Sequence, residues 1–419
     1  MTFRSRPPAG LPDTGDRVPL YAASFAADPH AAYRAMREAY GPFVPVELSP
    51  GVPATLVIGY RQAVSILNDP AAFPADPRVW QRGVPADCPV LPMIEWRPNA
   101  LRSAGTAHAR YRAATVESLA PEDLHALEAT VERIAADLLD DIGAEGATGV
   151  DLRARYAFPL TFQTLNALLG CPPHLGRRVA KGMGQIFEGV DAHQGAEMLT
   201  GALEELVRLR TRQPGNDVTS RLLAHPAGLT VAEMIQQLVT LYGAGIEPQV
   251  NLITSALARM LTDPRFSGDV LSGSLTVADA LDETLATDPP MANYCLTYPP
   301  EPVTVDGHVF PAHQPVVISM AAANNDPAVA AGIEERAGNR SHLAWSIGPH
   351  ACPARDPAYL IALTGLSLLI DRLPDLALAV PAGQLVWRPG PFHRALAALP
   401  VRFTPSPRTT DALEKETPR

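Results

Sequence analysis

Trp345-Ser346-Ile347-Gly348-Pro349-His350-Ala351-Cys352-Pro353-Ala354 is the most informative segment of this chain. A lone cysteine follows a tight Gly-Pro turn and precedes a long apolar run. Pro357, then Ala358-Tyr359-Leu360-Ile361-Ala362-Leu363 and on through Leu369-Ile370, read as a helix. Cys352 therefore faces a helix N-terminus, whose unpaired N–H groups and positive dipole end favour a thiolate. Gly348 permits backbone conformations closed to other residues and brings amides close to the sulfur.

A thiolate held this way suits haem iron as an axial ligand, where it pushes electron density toward O–O cleavage. The segment resembles the cysteine-ligand loop of the cytochrome P-450 superfamily, Phe-Gly-x-Gly-x-His/Arg-x-Cys-x-Gly/Ala. Gly348, His350, Cys352 and Ala354 match it, while Trp345 replaces the usual Phe and Ser346 the first Gly. The resemblance spans roughly Asp28 to Thr404. It implies a mainly α fold with small β-sheets: a large helical body plus an N-terminal sheet region. It also implies haem b (iron protoporphyrin IX) with Cys352 as its metal ligand. The alternative from the residues alone is a structural cysteine buried at a helix start.

Composition sets the frame. The 419 residues, 47% hydrophobic, suffice for a sizeable core. The 43 prolines, about twice the usual share of roughly 5%, are scattered between periodic segments and so suggest rigid loops. Cys88, Cys171, Cys295 and Cys352 lie far apart without a Cys-x-x-Cys pair, which argues against a zinc site or a disulfide framework. A net charge of −10 disfavours nucleic acid as a partner. No apolar stretch reaches the roughly 18 residues needed to span a membrane, and residues 1–8 lack the apolar core of a signal peptide, so a cytoplasmic location is expected.

The pattern predicts a flexible arm over 1–15, a single haem-thiolate domain over 16–404 and a flexible tail over 405–419. Asp28-Pro29 caps a helix from His30 to Tyr40, ended by Gly41-Pro42. Strands are expected over 43–48 and 54–60, a short helix over 61–68 and a long loop over 69–97. Helical periodicity marks 108–119, 124–139, 160–169, 198–210 and 231–261. Strand signals return at 303–310, 315–320, 384–387 and 401–403.

His108 and Arg112, four apart on one helix face, resemble the family's His-x-x-x-Arg pair that binds haem propionates. His350 is a third candidate by the same resemblance. The segment around Ala244-Gly245-Ile246-Glu247-Pro248 resembles the helix crossing over the haem, whose motif is Ala/Gly-Gly-x-Asp/Glu-Thr/Ser. Ala244 and Gly245 are expected to leave room for dioxygen, and Glu247 is the candidate acid. Pro248 stands where the proton-delivering hydroxyl belongs, and it is expected to kink the helix. Glu283 matches the family's Glu-x-x-Arg, but Ala286 occupies the arginine position, with Arg336 or Arg340 as possible replacements. A further propionate-binding arginine is replaced by Thr297 or a neighbour. These features resemble an actinobacterial subgroup lacking that Glu-x-x-Arg arginine.

The implied function is a monooxygenase acting on a small organic substrate with O2 and electrons from a ferredoxin and ferredoxin reductase. Arg355 is either a docking residue for that ferredoxin or a plain surface arginine. The second reading, supported by Pro248 and Ala286, is a haem-binding protein with impaired oxygen activation: a peroxide-driven oxidase or a non-catalytic interaction module.

Overall fold

The computed structural model describes residues 17–120, 123–145, 148–188, 191–266, 275–329 and 340–404. The arm over 1–15, the tail over 405–419 and Arg336 lie outside them. After a short helix, Ala23–Ala27, Asp28 accepts a hydrogen bond from the Ala31 N–H at 2.9 Å and caps the helix Pro29–Tyr40, which has proline in its first turn. Gly41, at φ 72°, ends it.

The chain then turns into the main sheet. Its strands lie side by side in the order Val18–Pro19, Phe43–Glu47, Pro53–Val57, Val316–Ser319 and Asn293–Thr297. Val316–Ser319, parallel to one neighbour and antiparallel to the other, is buried along its whole length because Val317 packs into one hydrophobic cluster and Val316 and Ile318 into another on the opposite face. The expected strand over 303–310 is a hairpin, Val303–Val305 with His308–Phe310, because Asp306-Gly307 takes positive φ at both turn positions. The expected strand over 384–387 is absent. Ala382–Gln384 is a 3₁₀ turn, and Trp387 forms a single bridge with Leu396. A second small sheet joins Thr148–Asp151, Pro400–Arg402 and Ala377–Leu378.

Helices Gly105–Leu119, Leu124–Glu145, Phe158–Leu168, Ala192–Arg212, Val277–Thr287 and Arg355–Arg372 surround one long helix, Val231–Thr262. Pro173–Glu188 and Val218–Ala224 are further helices that the periodicity did not single out. Thr230 and Glu233 form a reciprocal capping box at the start of the long helix. It continues through Pro248 without a break. The reason is burial: Gln249 through Ala258 are buried without interruption. Each of Leu252, Ile253 and Leu257 contributes about 1.5–3 kcal/mol of apolar burial, which outweighs the roughly 3 kcal/mol a proline costs. Among the described residues no helix is long and apolar enough to cross a membrane.

Candidate active site

The cysteine loop is fixed from both sides. Ser346 donates its N–H to the Leu343 carbonyl at 2.7 Å, and Cys352 donates its own to Trp345 at 2.7 Å. Gly348-Pro349-His350 forms one 3₁₀ turn. Gly348 sits at φ +70°, and a Cβ there would lie 2.4 Å from the Leu67 carbonyl oxygen, so the loop packs on helix Tyr60–Leu67 only with glycine. Ser346, where the motif has its first glycine, also takes positive φ, at 55°. The helix that follows is Arg355–Arg372, with Ala354 as its N-cap.

The Cys352 thiol departs from the expectation of a thiolate favoured by the helix terminus. Burial pushes its pKa up, against the opposing pull of a backbone hydrogen bond at Ala354 and the Arg112 charge. A thiolate in this setting needs a cation at the sulfur, which an iron would supply. Among the described residues no group of three or more His, Cys, Asp or Glu could hold a metal ion, so a metal at Cys352 must bring its other ligands with it.

A basic cluster adjoins the loop. Arg112 Nη2 donates to the Ala351 carbonyl at 2.5 Å, tying helix Gly105–Leu119 to the residue before the cysteine. The His108 and His350 rings lie 4.1 Å apart, centroid to centroid. Burial, then the neighbouring His108 and the charges of Arg112 and Arg102, pushes His350 down to about 3. His108 is lowered by burial and then by Arg112. Its Nε2 is buried without a partner. An orphaned imidazole nitrogen beside a guanidinium and a second imidazole fits a group bearing carboxylates. The residues therefore fit haem: one thiolate for the iron and several donors for propionates.

The distal segment makes contacts that the sequence did not indicate. Ala244 is exposed midway along the long helix, between half-buried Gly243 and Gly245. A Cβ at Gly245 would lie 3.0 Å from the Leu165 side chain, so its small size also serves the packing of the long helix on Phe158–Leu168. Glu247 is held between two arginines. Arg153 Nη2 lies 3.4 Å from both carboxylate oxygens, and Arg388 contacts the same carboxylate. Neither arginine was singled out in the sequence.

Glu283 also finds partners that the sequence did not indicate. Arg265 pairs with it bidentately at 2.9 and 2.8 Å, and Arg259 approaches at 3.5 Å. Arg340 instead pairs with Asp282 at 3.0 Å and stacks over Tyr359, so it does not replace the missing arginine. The only local signal was Asp263-Pro264-Arg265, a turn directly after the long helix.

A helical body around one cysteine loop, with carboxylate-binding donors beside the sulfur, defines a haem-thiolate architecture. No family model matches the chain. It is 30% identical over 395 residues to the cytochrome P-450 monooxygenase PikC of Streptomyces venezuelae, covering 90% of this chain and 92% of PikC. It is 28% identical over 402 residues to the 6-deoxyerythronolide B hydroxylase of Saccharopolyspora erythraea, covering 92% and 98%. The structure of CYP154C4 from Streptomyces sp. ATCC 11861 superposes with a TM-score of 0.83 at 29% identity, covering 93% of this chain and 98% of that one. The chain belongs to the cytochrome P-450 superfamily, and these relatives are bacterial monooxygenases and hydroxylases.

Proposed function

We propose that this chain is a haem-thiolate monooxygenase that oxidises a small organic molecule with dioxygen and electrons from a ferredoxin and its reductase. The observation that carries this reading is the convergence of Cys352, His350, His108 and Arg112, with Arg112 bonded to the residue before the cysteine. Bound haem b would supply the redox chemistry, reductive activation of dioxygen and transfer of one oxygen atom to the substrate. Cys352 would give the axial thiolate, while Arg112, His108 and His350 would hold the propionates.

The proton path is where this chain differs. Pro248 has no N–H, so the Ala244 carbonyl lacks its usual helical donor and is free to accept from a water. Glu247, one residue before Pro248, would hold the next proton. Arg153 and Arg388 pair with its carboxylate, so a proton would pass between Glu247 and the substrate site by way of water. Exposed Arg355, just past the cysteine, would be the contact for an acidic electron donor.

One observation favours a second reading. A carboxylate clamped by two arginines beside a proline is a poor proton donor, which favours oxidation driven by peroxide, since peroxide arrives already reduced and protonated. Turnover with a surrogate ferredoxin and reductase separates the two. Product formed from dioxygen and reductant supports the monooxygenase. Product formed only with hydrogen peroxide sinks it in favour of the alternative.

A further inference from the structure

Arg102 lies in the 3₁₀ turn Ala100–Arg102, just ahead of the helix that carries His108 and Arg112. Asn99 fixes that turn, its side-chain oxygen accepting from the N–H groups of Leu101 at 3.1 Å and Arg102 at 3.0 Å. The Arg102 residue is only 4% exposed. Its Nη2 donates to the Met93 carbonyl at 2.6 Å and to the Tyr294 hydroxyl at 2.5 Å, and Nη1 reaches Leu101 at 3.5 Å. Its guanidinium sits 5.2 Å from the centre of the Tyr294 ring. None of these partners is an anion. A buried charge left without one costs several kcal/mol, so a site that keeps a guanidinium here is built to receive a negative group.

The surroundings say which group. Tyr294 and Thr297 belong to one strand, Asn293–Thr297, and the resemblance places the missing propionate-binding arginine at Thr297 or a neighbour. The Thr297 hydroxyl and the Tyr298 hydroxyl of that same segment are buried without partners, as is His108 Nε2. Arg102 therefore bonds the strand that lost its arginine, through the Tyr294 hydroxyl, and lies just ahead of the helix whose His108 ring sits 4.1 Å from that of His350, two residues before the cysteine. We propose that Arg102 binds a haem propionate in place of the arginine absent at Thr297 or a neighbour, a cationic partner supplied from a different element of the fold. The inference rests on the haem-thiolate reading above.

The test uses the full-length protein reconstituted with haem and, separately, with haem dimethyl ester, whose propionates carry no charge. Loss of each to an excess of a haem acceptor is followed for the wild type, Arg102→Met, Arg102→Lys and the double variant Arg102→Met/Thr297→Arg. Arg102→Met is expected to speed haem loss about 10- to 100-fold, the worth of a charge-assisted hydrogen bond. It should leave loss of the ester within about twofold of wild type, because a neutral ester offers no carboxylate to miss. Arg102→Lys should fall between, and arginine at 297 should restore retention. Equal acceleration for haem and ester would mean that Arg102 only supports the fold, and no acceleration for either would remove it from the site; both overturn the proposal. Should Arg102→Met fail to fold, the haem-to-ester ratio for Arg102→Lys decides in the same way. A wild-type protein that takes up neither pigment would instead refute the haem-thiolate reading itself.

Discussion

Gly348→Ala puts the geometry of the cysteine loop at risk in a way that can be costed. The φ of +70° carries roughly 1–2 kcal/mol for any residue with a Cβ. The new methyl would also stand 2.4 Å from the Leu67 carbonyl oxygen and 3.3 Å from Asn68. Backbone cannot swing aside as a flexible side chain can, so the overpacking adds about 1–3 kcal/mol. Alanine restricts the unfolded chain and returns about 0.4–1 kcal/mol. The net expectation is a loss of about 2–4 kcal/mol in urea unfolding of the haem-loaded protein, together with a smaller fraction of thiolate-ligated iron. Ser346→Gly is the control, two residues away. It relieves the same backbone penalty but frees the unfolded chain and loses a weak hydroxyl contact to the Ile347 carbonyl at 3.4 Å, so its change should stay within about 1 kcal/mol. A Gly348→Ala protein that unfolds with the wild type and keeps full thiolate ligation would refute the packing of this loop against Leu67.

Arg265→Ala should cost about 2–3 kcal/mol, less than the 3–5 of a fully buried pair, because Arg265 is 37% exposed and Arg259 remains near Glu283. Arg340→Ala should cost less than Arg265→Ala in the same unfolding assay; the reverse order would reinstate Arg340 as the substitute arginine. The haem-free chain should lose stability as pH falls below about 6.5. His350 is held neutral down to about 3 when folded but protonates near 6.5 when unfolded, so over that window the unfolded state binds more protons at about 1.4 kcal/mol per pH unit. His350→Gln should reduce that slope without abolishing it, because His342 and His393, each lowered to about 4, add to it; urea unfolding at several pH values reads the change, and bound propionates should reduce it too by raising the His350 pKa. Pro248→Thr restores a hydroxyl and a backbone donor to the Ala244 carbonyl. It should raise the ratio of product to reductant consumed, and an unchanged ratio would show that the missing hydroxyl does not limit oxygen activation.

The parts of the site legible in the sequence were those set by short spacings. Cys352 with Gly348 and His350 is one loop, and His108 with Arg112 is one helical turn, so residue order alone carries their geometry. What was not legible depends on elements meeting across the fold. Glu247 and Arg388 are separated by a long stretch of chain and meet only because the segment after Gln384 folds back on the long helix. Gly245 matched a motif for its smallness, yet the neighbour that requires it is Leu165 on another helix. Helix Pro173–Glu188 escaped notice because its glycines weaken helical propensity. Gly182 shows their use: a Cβ there would lie 2.7 Å from the Gly195 carbonyl, so the helix crosses its neighbour at close range. At Cys352 the helix terminus is visible in residue order, whereas the burial that opposes it comes from elements distant in the chain.

The central claim is that Cys352 ligates haem iron as a thiolate beside an accessible distal position. The reduced, carbon monoxide-bound absorption spectrum of the purified protein tests it most directly. The expected result is the long-wavelength Soret band of a thiolate-ligated haem in the wild type, lost in Cys352→Ser. The same band persisting in Cys352→Ser, or no band at all in haem-replete wild type, would contradict it.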